Sequence, residues 1–150
     1  MEKLAFNTGI KEMDCGFGVP LRVNFADPNF YERFGHMTQR ITDIEKQMAE
    51  RSKTKNITDG NDVLRILRET DLEVKSIMNE TFGLGNDFDK IMGGMNIMAV
   101  CEDTGERIVT GFLNAITPLV HNGFEAFAHG KVEEAKMNRE QRRASQRAGK

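Results

Sequence analysis

Apolar residues first recur along this chain with a period of two. Leu4 and Phe6, then Thr8-Gly9, then Ile10 and Met13 outline a short hairpin around a glycine turn. Leu21, Val23 and Phe25 alternate with Arg22 and Asn24, as in a half-buried strand, and Pro20 leads into that run where a missing amide does least harm. Residues 1–26 therefore predict strands, with Asp14-Cys15-Gly16-Phe17-Gly18 as a loop between them.

The period changes at Asp27-Pro28-Asn29, where a capping Asp, a Pro at the first helical position and Glu32 close behind open a helix. Phe30, Phe34, Met37, Ile41, Ile44 and Met48 follow at spacings of four, three, four, three and four. This is a heptad stripe on a helix of about six turns, ending near Arg51. Ser52–Thr58 is polar and basic and reads as a linker. Asp59-Gly60-Asn61-Asp62 opens a second helix bearing Val63, Ile66, Leu67, Val74, Ile77, Met78 and Phe82, with Gly83 as its stop.

Asp87 caps a short segment from Phe88 to Met92, and Asn96 starts another from Ile97 to Cys101. A last helix begins near Glu106 and carries Ile108, Val109, Phe112, Leu113, Ile116, Val120, Phe124 and Phe127, with a kink or break expected at Pro118. Past Gly130 large apolar residues nearly vanish. The predicted fold is mainly α: a short N-terminal β-hairpin, a bundle of about four helices and a flexible basic C-terminal tail. Its organisation is one compact domain over 1–130 (strands in 1–26, helices in 27–130), with 131–150 disordered or an exposed helix.

Charge sharpens that division. The 150 residues carry a net charge of −2, but residues 1–130 hold 14 basic against 20 acidic residues, and 131–150 hold seven against three. A basic tail on an acidic body makes nucleic-acid binding by the whole surface an unfavourable reading. No apolar run approaches the about 18 residues of a membrane helix, and Met1–Asn7 lacks a signal pattern. Cys15 and Cys101, 86 positions apart, form neither metal-ligand spacing nor a disulfide framework, which suits a reduced intracellular chain.

Catalytic chemistry finds little purchase. His36, His121 and His129 include no i, i+4 pair to ligate a metal. The cluster Cys101-Glu102-Asp103-Thr104-Gly105-Glu106 joins a thiol to three carboxylates, yet helix capping by Asp103 or Thr104 explains it without chemistry. Gly83-x-Gly85 and Gly93-Gly94 lack the strand, the spacing and the Lys-Ser/Thr pair of phosphate loops. Neither a cofactor nor an enzymatic activity is expected. Nine methionines without a single Trp are more telling, because Met is flexible and over-used on surfaces that grip varied apolar partners. Met37, Met48, Met78, Met92, Met95 and Met98 fall on the helical stripes, where core filling competes with such a role.

Phe82-Gly83-Leu84-Gly85, Lys90-Ile91-Met92-Gly93-Gly94, a Phe-and-Ile helix and the terminal Asn138-Arg139-Glu140-Gln141-Arg142-Arg143 occur in that order behind an N-terminal strand pair. This order resembles the tail assembly chaperones of long-tailed bacteriophages and prophages of Gram-positive hosts, most firmly over residues 77–144. The resemblance implies a non-enzymatic protein of the host cytoplasm, absent from the mature virion, that coats the apolar tape measure protein and helps recruit tail tube subunits. Self-association is a further expectation. The apolar contact is expected from Phe30, Phe34, Met37, Ile41, Ile44 and Met48, and contact with tail components from Arg139, Arg142 and Arg143. The rival is a small helical nucleic-acid-associated protein acting through its basic tail.

Overall fold

A computed structural model describes residues 1–54 and 59–148, over which the chain runs β1 (Ile10–Asp14), β2 (Pro20–Asn24), α1 (Pro28–Thr54), α2 (Gly60–Phe82), α3 (Phe88–Ile91) and α4 (Ile108–Ala148). The mainly helical architecture behind a two-stranded sheet matches the class read from periodicity.

The hairpin lies later than expected. β1 and β2 pair antiparallel from Ile10 opposite Asn24 to Asp14 opposite Pro20, so the reversal falls at 15–19 rather than at Thr8-Gly9. Leu4 and Phe6 stand outside the sheet, 87% and 77% exposed. Gly9, at φ +78°, instead turns the chain into β1, and Asn24 fastens that turn by donating its side-chain amide to the Thr8 carbonyl. Leu21 and Val23 face inward and are fully buried, as their alternation required. On the outer edge of β2, Asn86 accepts from the Arg22 amide at 2.9 Å and donates to the Arg22 carbonyl at 2.8 Å, which closes an edge that would otherwise expose both groups.

Asp27 caps α1, accepting from the Asn29 amide at 3.0 Å, and Asp59 caps α2 in the same way through Asn61. The helix runs on to Thr54. Of the expected linker, Ser52–Thr54 completes α1, and 55–58 lies outside the described residues. α1 and α2 pack antiparallel: Arg33 donates to the Thr81 carbonyl, Arg40 pairs with Glu80 and Arg51 with Glu69. Phe82 sits at the junction of the two helices, α3 and α4, its ring 5.2–6.3 Å from those of Phe30, Phe34, Phe88 and Phe112.

The helix expected at Ile97–Cys101 does not form. Its backbone bonds are made elsewhere: the Ile97 amide donates to Asp71, the Ile97 and Ala99 carbonyls accept from Val109 and Ile108, and Val100 pairs with Arg107. A segment whose amides and carbonyls serve its neighbours has none left for its own i−4 ladder. The cluster Cys101–Glu106 is likewise a tight turn rather than a helix cap, closed by the Cys101 amide on the Glu106 carbonyl at 2.8 Å.

α4 passes Pro118 without a break. Ile116 and Val120, buried on either side of the proline, hold the helix in register, and Thr117 donates to the Leu113 carbonyl at 2.6 Å. Beyond Gly130 the helix continues to Ala148 with its described side chains exposed. Of the two forms expected for the tail, the exposed helix is the one seen over these residues.

Candidate functional site

Phe30, Phe34, Met37, Ile41, Ile44 and Met48 were the expected contact surface, and the fold puts all six in the core at 1–8% exposure. The cause is α2, whose Ile66, Val74, Ile77, Met78 and Phe82 form a matching stripe within the same buried cluster. Two amphipathic helices joined by a short connection cover each other before any partner arrives. Met37, Met48 and Met78 are buried in that α1–α2 seam, and Met92 and Met98, which lie outside the helices, are core residues as well, which leaves Met95 of the six.

Apolar concavities lie instead along the first half of α4, while Leu64 and Leu72 on α2 are exposed without lining one of them. A groove of about 420 Å³ lies between the hairpin and this helix, lined by Met13, Cys15, Phe17 and Leu21 on one side, Met92 and Met95 on another, and Ile108, Phe112, Ala115, Ile116 and Leu119 of α4. Its one charged lining residue is Asp14. A second concavity of about 500 Å³ separates the start of α1 from Val120, His121 and Phe124. A third of about 630 Å³ runs from Gly9, Lys11 and Phe25 to Leu119, Gly123 and Phe127. Leu119 lines both the first and the third, so a nearly continuous apolar strip follows α4. Phe17, Leu119 and Phe124 along it are 46%, 47% and 48% exposed.

Local chemistry sets the strip's shape. Tyr31 donates its hydroxyl to the Phe25 carbonyl at 2.7 Å, locking the start of α1 to the end of β2. Its ring meets Phe124 edge-to-face at 5.3 Å and Phe127 at a tilt at 6.0 Å, and burial raises the phenol's pKa. Gly123 admits this packing: a Cβ there would lie 2.7 Å from the Tyr31 hydroxyl and 2.9 Å from the Phe25 ring. Burial, with the Asp14 charge second, also pushes the Cys15 thiol up. Cys101, fully exposed, is shifted the other way by hydrogen bonds from the Asp103 backbone and then from Thr104.

Arg139, Arg142 and Arg143 are exposed on the distal part of α4. Arg142 stands about 27 Å along the helix from Phe124, at about 1.5 Å per residue, so apolar strip and basic residues are separate sites on one rod. His36 and His121 lie on the surface beside Glu32 and Glu125, each at an i, i+4 spacing. Among the described residues no group of three or more His, Cys, Asp or Glu is placed to hold a metal ion, and no helix is long and apolar enough to cross a membrane.

The groove was hidden in the sequence because its walls come from three separate stretches of chain, 13–21, 92–95 and 108–119. Phe17 lies in a stretch that reads only as a loop, and Leu119 falls outside the apolar stripe of Ile116, Val120 and Phe124 that helical spacing picks out. Comparison with protein-family models, with curated proteins and with solved structures finds no match for this chain.

Proposed function

We propose that this protein is a non-enzymatic tail assembly chaperone whose apolar strip along α4 shields apolar helix faces of a tape measure protein until the tail tube forms. The observation that carries the reading is the open groove between hairpin and α4, apolar except for Asp14 and furnished with Met13 and Met95, whose flexible side chains suit a partner with varied apolar positions. The order of motifs from Phe82 to Arg143 supports the same reading. Arg139, Arg142 and Arg143, held away from the strip, would recruit tail tube subunits, and the acidic body would keep the complex soluble in the host cytoplasm. The contact role thus passes from the buried α1 stripe to Phe17, Leu119 and Phe124.

Co-expression tests the proposal. Soluble tape measure protein should increase in the presence of this chain and fall back with Leu119→Asp and Phe124→Asp, both at half-exposed positions. Solubility that is the same with and without the chain would refute it.

A second reading, binding of nucleic acid, draws on the spacing of Lys136, Arg139, Arg143 and Arg147 at three, four and four on one side of an exposed helix. Counterion release would make such binding fall steeply with salt, and truncation after Gly130 would abolish it. No mobility shift of DNA or RNA at low salt removes this reading.

A further inference from the structure

Phe17 forms one wall of the groove from an unusual mounting. It stands between Gly16 and Gly18, at φ +94° and +81°, in the loop that joins β1 to β2. Left-handed glycines on both sides leave the backbone free to pivot where other residues would be strained. Its ring rests on the backbone of Gly93, itself at φ +65°: a Cβ on that glycine would come within 2.6 Å of Phe17 Cδ1 and 3.1 Å of Cγ. The seat exists only because residue 93 has no side chain. The ring nevertheless remains 46% exposed, so little burial holds it down, unlike the fully buried Phe30, Phe82 and Phe88 nearby.

We propose that Phe17 is a gate on the groove: seated on Gly93 it narrows the methionine-lined cavity, and by pivoting at Gly16 and Gly18 it lifts to admit an apolar side chain of the bound partner. This inference rests on the groove being the binding site, and it names how that site is controlled. A modest seat suits the role, since a wall held by deep burial could open only with the core.

Cys15, two residues away and lining the same groove, reports on the gate. The experiment uses the full chain carrying Cys101→Ser, so that N-ethylmaleimide modification followed by mass spectrometry reads Cys15 alone. Phe17→Ala should raise the Cys15 modification rate by about fivefold or more with the thermal melt unchanged, because the rate follows the open population. Gly93→Ala should raise it too, since its Cβ evicts the ring, and should also lower the melt modestly because an alanine at φ +65° strains the backbone. The double variant should react no faster than Phe17→Ala, since no ring remains to evict. An unchanged rate in Phe17→Ala overturns the proposal, as does a rise accompanied by a collapsed melt, which would make Phe17 a core wedge. Additive rises in the double variant overturn it as well. The measurement needs no partner, so failure of the co-expression experiment and failure of the gate are read separately.

Discussion

Replacing Lys75 by Met should be among the most damaging single changes in this protein. The Lys75 side chain is 4% exposed, and its ammonium donates to Asp71 Oδ2 at 3.0 Å, Asp89 Oδ1 at 2.7 Å and the Met95 carbonyl at 2.6 Å. The other Asp71 oxygen accepts from the Ile97 amide at 2.8 Å. One buried cation therefore ties α2 to α3 and to the strand-like segment before α4. The Asp89 pair adds little, about 0–1 kcal/mol, because the Asp89 side chain is 58% exposed and water can replace the lysine. Asp71 is different. At 9% side-chain exposure it would keep a buried charge without its counter-ion, a loss of about 3–5 kcal/mol.

Asp71→Asn leaves Lys75 with Asp89 and Met95 and can still accept from Ile97, so it should cost only about 1–2 kcal/mol. The double variant Lys75→Met with Asp71→Asn, in which the stranded charge is gone, should be more stable than Lys75→Met alone. Urea unfolding followed by circular dichroism measures all three, and a shift of midpoint at constant slope isolates stability. The reasoning fails if Lys75→Met costs under about 1 kcal/mol, or if the two single losses simply add.

Two glycines in helices should respond with opposite signs to the same substitution. At Gly35 a Cβ meets nothing within 4 Å, so Gly35→Ala should stabilise by about 0.5–1 kcal/mol; at Gly123 the same helical gain is outweighed by overpacking of about 1–3 kcal/mol against Tyr31 and Phe25, and melting should fall. The two thiols should differ in rate: Cys101, with its pKa lowered, holds more thiolate near neutral pH than Cys15, with its pKa raised, and should react first with a disulfide reagent. The gap should persist as pH rises and narrow only once Cys15 also ionises; equal rates at pH 7 would contradict the assignment.

Local signals served well wherever the chemistry was local. Asp59 caps α2, Gly83 ends it at φ +58° and Asp87 caps α3 where the side-chain types indicated, because a cap needs only residues two or three positions away. Ile97–Cys101 misled because its backbone partners are Asp71 and α4, 26 and about ten residues distant, which no short window contains. Of the kink or break expected at Pro118, the break does not occur, and Ile116 and Val120 are buried on either side of the proline.

The apolar positions of this chain followed from its sequence alone: periods of two and of three and a half to 3.6 are properties of a strand and a helix by themselves. Which of those apolar faces would be hidden was decided only by tertiary packing. The α1 stripe, the most regular in the sequence, found its match in α2 and disappeared into the core, while Phe17, Leu119 and Phe124 stayed accessible beside the grooves. Burial belongs to a pair of surfaces, and a single stripe cannot say whether the chain itself supplies the second.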